Sequence, residues 1–542
     1  MATDRRFRSL VILGALGFGL IPAGTVRAEG PLSAIDWLSE SVALPRGATI
    51  VAPEPPPRKG RFPSSVPLPD KRSDEPAVTK SARPAEITAS VLGKPSPDGA
   101  GLLSATRTGL PYRLWGLART EDIARGISAE RLDTLPALQG LMMTLLLAET
   151  EPPVDSGGRG ILLLARIDKL LAMGALDQAM ALTSVAGRPG PELFRRRFDI
   201  SLLGGTEDFA CEEMAAAPHL APTIPARVFC LARAGDWQAA ALTLDTAIAL
   251  GQVKEDEQEL LQRFLDPGLA DGAEPLPAPA TPTPLVWRMY EAIGEPLPTL
   301  GLPIAFSHAD LRPQAGLKSQ IEAAERLARV GAISPNLLLG LYTEQKSAAS
   351  GGVWDRVDAF QRFDAAMASA EPARVSEALA PAWAAMTSVE LEAPFAALYG
   401  ARLSELPLSE DAARLAFRIG LLSTEYHEVA TVRARSQPAP DPTESFLIGL
   451  ATGDLAGRQP YDSMSRAISP AFTSPRITES AQALLDDRRT GEALLQAIDD
   501  VGRGVTGDPR GVTEGLSLLR RLGLEDVARR TALELLILER RG

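Results

Sequence analysis

CLARAGDWQAAAL, residues 230–242, is the stretch that decides the fold. Leu231, Gly235 and Ala240 stand at Leu-x-x-x-Gly-x-x-x-x-Ala spacing. The same spacing recurs in LLAMGALDQAMAL at 170–182 (Leu170, Gly174, Ala179) and in LLRRLGLEDVARR at 518–530 (Leu519, Gly523, Ala528). A helix ending on glycine can turn through left-handed dihedrals without a Cβ clash, and an alanine in the next helix lets two axes approach closely. The spacing therefore predicts antiparallel helix pairs. From about Leu102 onward apolar residues keep a helical period, Ser334-Pro335 supplies an N-cap with proline at the first helical position, and Gly331 closes a further helix. Period-two alternation is missing. Helix pairs with an apolar side need neighbours to cover it, so the expected architecture is all-α: an irregular α-solenoid of antiparallel helix pairs, stacked as a curved rod.

Gly235-Asp236-Trp237-Gln238-Ala239-Ala240, with Ala247 seven residues on, resembles the tetratricopeptide repeat around its inter-helix turn. Gly174, Ala179 and Ala186 resemble it more loosely. Gly523 and Ala528 fit but Leu535 replaces the later alanine, and Gly331 is followed by Ala332 to Asn336, which breaks the alanine position. Gly174 and Gly235 are 61 residues apart, so the period is irregular. The resemblance implies a helical array whose concave side binds a protein partner. The chain also resembles uncharacterised exported proteins of alphaproteobacteria, a likeness that implies no activity.

The 542 residues hold 56 Lys+Arg against 68 Asp+Glu, a net charge of −12, which argues against nucleic acid as a partner. Aromatic residues are only 5% while the hydrophobic share is 45%, so the core should be aliphatic and alanine-rich.

Residues 1–28 have the layout of a secretory signal: Arg5, Arg6 and Arg8, an apolar run from Leu10 to Ile21, then Val26-Arg27-Ala28 with cleavage after Ala28. Ordinary secretion suits the residues around Arg5-Arg6 better than the twin-arginine route, and a periplasmic location is expected. Residues 29–44 place Ile35, Leu38 and Val42 on one helical face beside Trp37, which makes a short helix for docking, in cis or in trans, or a stretch with no role. Residues 45–100 are proline-rich and charge-balanced, the composition of a disordered linker, although Glu86–Gly93 could add one strand to an edge. An N-terminal array (101–266), a proline-rich interruption (267–303) and a C-terminal array (304–542) complete the division. The last helix, with Glu525 and Asp526 at its start and Arg540 and Arg541 at its end, reads as a cap or a partner-binding helix.

Cys211 and Cys230 are the two cysteines, on neighbouring predicted helices. In an oxidising compartment they would form a disulfide; the alternative is two separate buried thiols. Chemistry is sparse elsewhere. His219, His308 and His427 are far apart, and no HExxH, Gly-x-Ser-x-Gly or Walker loop occurs, so no metal, cofactor or catalytic residue is assigned. Gly502-Arg503-Gly504-Val505-Thr506-Gly507 has dinucleotide-motif spacing but follows a helix, and is read as a flexible inter-helix loop. Carboxylate pairs such as Asp499-Asp500 raise the possibility of glycan cleavage. The sequence thus leads to a non-enzymatic periplasmic scaffold or adaptor with a protein partner in the envelope. Its alternatives are an accessory subunit or enzyme of peptidoglycan remodelling, and a small-ligand module between the two arrays.

Overall fold

The structure, a computed structural model, describes residues 96–538 apart from 188–189, 347–349, 437–440 and 506. The first helices are α1 (Ala105–Thr108), α2 (Thr120–Ala129), α3 (Pro136–Leu147), α4 (Ile161–Ala172) and α5 (Leu176–Val185). Next come α6 (Pro191–Gly204), α7 (Glu207–Ala216), α8 (Ile224–Arg233), α9 (Trp237–Ala249), α10 (Glu255–Leu265) and α11 (Pro284–Ala292). The middle holds α12 (Ser307–Asp310), α13 (Leu317–Arg329), α14 (Pro335–Glu344), α15 (Val353–Ser369), α16 (Pro372–Thr387), α17 (Glu392–Ser404) and α18 (Glu410–Gly420). The chain then runs through α19 (Tyr426–Ser436), α20 (Pro442–Thr452), α21 (Ser463–Thr473), α22 (Glu479–Asp486), α23 (Thr490–Val505), α24 (Pro509–Arg521) and α25 (Glu525–Ile537). Extended pairing among the described residues is a single bridge between Leu103 and Ala148.

Local chemistry explains the boundaries. Thr223, Asp236 and Asp441 cap their helices by accepting the amides of Ala226, Ala239 and Glu444 at 3.1, 3.1 and 2.9 Å. Gly174, Gly235 and Gly523 adopt φ of 75°, 82° and 81° between α4 and α5, α8 and α9, and α24 and α25. These are the turns predicted from the recurring spacing, and consecutive helices pack as neighbouring pairs. The architecture is therefore all-α with antiparallel pairs.

The array does not end in two free faces. α2 packs on α23 and α3 on α25, so the first and last long helices adjoin. The Ala137 amide at the start of α3 donates to both carboxylate oxygens of Glu534 in α25, at 3.0 and 2.9 Å. The Gly491 amide donates to the Leu114 carbonyl at 2.8 Å. An open curved rod was the simplest reading of stacked pairs; its ends instead meet because α3, PALQGLMMTLLL, is apolar nearly all round and α4 alone cannot cover it. α25 thus buries Ala528, Ala532, Leu533 and Ile537 inside the array, and Arg540 and Arg541 lie outside the described residues.

Two apolar cores result. The smaller joins α6 to α11 through residues such as Phe194, Phe229, Leu261 and Met289; the larger contains residues from Leu110 to Leu538. The stretch 267–303 carries α11, with Leu285, Trp287, Met289 and Tyr290 buried, and the Tyr290 hydroxyl donates to the Pro277 carbonyl at 2.8 Å.

Candidate protein-binding surface

α7 and α8 are joined by a disulfide and an ion pair, and with α9 they leave several large apolar side chains exposed. A disulfide joins Cys211 of α7 to Cys230 of α8, with Cα atoms 5.0 Å apart and both residues buried. Arg233, at the end of α8, donates to Asp208 of α7 from Nε at 3.0 Å and Nη2 at 2.6 Å. This ion pair brings the start of α7 beside the α8–α9 turn; Phe209 follows Asp208 in α7 and Trp237 begins α9. Phe209 is 75% exposed and Trp237 51%.

α9 turns Ala240, Leu244 and Ala247 inward, at i, i+4 and i+7, and packs on α8 and α10. Its exposed side is mixed, with Gln238, Asp245 and Thr246 set among apolar residues. Ala241, Leu242 and Ala249 face outward, and Leu250 follows at the helix end; Leu242 is 69% exposed and Leu250 64%. Scattered exposed leucines are ordinary, but exposed Phe and Trp together with an arginine are residue types enriched in binding hot spots.

Several of the buried charges join helices. Arg166 donates to the carbonyls of Leu146, Ala100 and Ala148 at 2.7, 2.7 and 2.8 Å, and thus satisfies the C-terminal end of α3. Burial lowers its pKa to about 10, against the pull of Asp98. Asp98 in turn accepts the Leu163 amide at the start of α4, at 2.8 Å; burial raises its pKa, opposed by that hydrogen bond. Arg196 forms a fork with Asp168 at 2.5 and 2.7 Å, and Arg356 another with Glu325 at 2.8 and 2.6 Å. Burial dominates the shift of Tyr342, whose hydroxyl donates to the same Glu325 and is held well above its ordinary pKa.

His308 donates from Nε2 to the Gly174 carbonyl at 2.7 Å, and burial lowers its pKa, opposed by that hydrogen bond. His219 and His427 are exposed and sit elsewhere. Among the described residues no group of three His, Cys, Asp or Glu side chains is placed to hold a metal, and no helix is long and apolar enough to cross a membrane.

The glycine motif at 502–507 is helical over its first half, and Gly504 packs against α24. Gly502 and Gly504 belong to α23, and a Cβ at Gly504 would lie 2.3 Å from Val512 Cγ2 of α24. Gly511 and Gly515 of α24 have the same role: a Cβ on them would meet the Asp500 carbonyl at 2.3 Å and Val501 Cγ2 at 2.6 Å. Asp500 is buried and paired with Arg503.

Of the residues singled out from sequence, Leu170, Ala179, Ala240, Leu519 and Ala528 are fully buried at pair contacts, and Leu231 is half-buried. Ala28, Ile35, Trp37, Leu38 and Val42 lie outside the described residues, as do most of 45–100 and the Glu86–Gly93 stretch. Sequence reasoning did not single out Phe209, Arg233 and Leu242. The available signal was α9 itself, which has apolar residues at more positions than one buried face requires.

A second feature is a cavity of about 290 Å³ between α3, the α13–α14 turn and the start of α17. Met143, Val330, Ile333 and prolines line it, with Arg329 as its one charged residue. Comparison with protein-family models, curated proteins and solved structures yields no match for this chain.

Proposed function

We propose that this chain is a non-enzymatic scaffold or adaptor of the periplasm that binds a protein partner through the outer side of α7–α9. The observation that carries the reading is that α7 and α8, joined by a disulfide and an ion pair, and α9 leave four large apolar side chains, Phe209, Trp237, Leu242 and Leu250, exposed. A preordered apolar surface loses little conformational entropy when covered, which favours its use in binding. The compartment is supported by the signal-like residues 1–28 and by the disulfide, a bond that persists in oxidising surroundings. The tetratricopeptide-like turn at Gly235 supports a partner-binding role of the same kind.

In living cells, p-benzoylphenylalanine placed at Trp237 should give a discrete adduct with one envelope protein on illumination. Phe209→Ser and Leu242→Ser together should reduce that adduct about tenfold, the scale of a lost hot spot, without changing helical content. An adduct insensitive to both changes, or release of fragments from purified sacculi by the protein, would defeat the reading.

A further inference from the structure

We propose that the cavity between α3, the α13–α14 turn and the start of α17 receives residues 33–44 of the same chain, with Ile35, Leu38 and Val42 entering it. This goes beyond the α7–α9 reading and does not depend on it. Size is the first argument. One helical turn with its side chains, about 10–12 Å across and 5.4 Å long, occupies roughly 500 Å³. A cavity of about 290 Å³ therefore suits the protruding side chains of one helical face, not an engulfed helix. Its floor is open for them, because Cβ atoms built on Gly140 and Gly331 would meet nothing within 4 Å.

Charge is the second argument. Between Glu29 and Pro45 the chain carries Glu29, Asp36 and Glu40 and no lysine or arginine, and the only ionisable residue lining the cavity is Arg329. On the competing surface α9 itself offers Asp236 and Asp245 and no cation from Trp237 to Leu250, and Arg233 at the end of α8 is already paired with Asp208.

Reach is the third. The described chain begins at Ser96, and the Leu102 and Leu103 amides donate to the Leu147 carbonyl at the C-terminal end of α3. The cavity lies along the same helix, between Pro136 and Met143, and Met143 is only four residues, about 6 Å of helix, from Leu147. Residues 45–95 are 51 in number, more than enough chain to join Ser96 to a site along α3. Tethering at that length gives an effective concentration on the order of millimolar, so weak apolar contacts suffice.

The test uses the full exported chain with p-benzoylphenylalanine at Trp37, beside the inserting face, followed by illumination and peptide mapping. Cross-links within one chain should fall on 136–143 or 328–335. Gly140→Glu and Arg329→Glu, with unchanged circular dichroism, should each reduce them at least about fivefold. Cross-links to 209–250, to a second copy or to another protein, or none at all, would overturn the proposal, as would cross-links to the cavity strips that neither substitution weakens.

Discussion

Arg166 shows how much a single side chain can organise in an array of short helices. It is fully buried, yet its guanidinium closes off carbonyls from the end of α3 and from the segment entering the fold, while Asp98 beside it caps α4. Truncation would strand those carbonyls and leave a buried carboxylate without its counter-charge. Arg166→Ala should therefore destabilise by about 3–5 kcal/mol, the cost typical of breaking a buried pair. The measurement is the urea midpoint, which should fall at unchanged slope. A change under about 1 kcal/mol would mean that water replaces the arginine. None of this was legible in the sequence, where Arg166 is one basic residue within a run of leucines; only the approach of α3 to α4 turns it into a cap.

Among elements, the junction of α2, α4 and α23 is one whose strength depends on pH. Lys169 of α4 donates to the Glu130 carbonyl at the end of α2, and Glu130 is half-buried near Asp499 of α23. Burial first, and then the charge of Asp499, push the Glu130 carboxyl up to about 7 against the attraction of Lys169. Burial brings Lys169 down to about 8, opposed by Glu130. The signs follow from proton counting. Between about 4.5 and 7 the folded chain holds a proton on Glu130 that the unfolded chain has lost, so this site's contribution falls as pH rises through that window. Between about 8 and 10.5 the unfolded chain binds the extra proton at Lys169, so the contribution rises with pH. Glu130→Gln should remove the lower limb: the difference in urea midpoint between wild type and variant should change from pH 5 to pH 7.5, with the wild type relatively better at pH 5. A constant difference across that range would refute the assignment.

At the scale of the whole described array, closure rests on a contact that tolerates almost no extra volume. A Cβ at Gly491 would lie 2.4 Å from two ring atoms of Trp115, and that ring is buried and anchored by its Nε1 donating to Thr150 Oγ1 at 3.2 Å. Gly116 is equally constrained, at φ 52° against the Arg488 carbonyl. Gly491→Ala should cost about 1–3 kcal/mol by overpacking. Hydrogen exchange should quicken selectively in α2 and α23 while α7–α9, in the smaller core, keeps its protection. Uniform quickening throughout would show that closure is not a separable part of the fold.

The sequence by itself determined the helical class, the glycine-closed turns and the alanine contacts at Ala179, Ala240 and Ala528. Each depends on residues within two helices of one another, where spacing dictates geometry. It also identified the cysteine pair as candidates for a bridge and left the choice between bridge and free thiols to the geometry. What only the tertiary structure decided is non-local: that α25 returns to α3, that Gly504, Gly511 and Gly515 seat α24 on α23, and that Arg233 pairs with Asp208 across α7 and α8. Residues such as Ala137 and Glu534 are 397 positions apart, and no periodicity carries information over that distance; only the need to cover an all-round apolar helix brings them together.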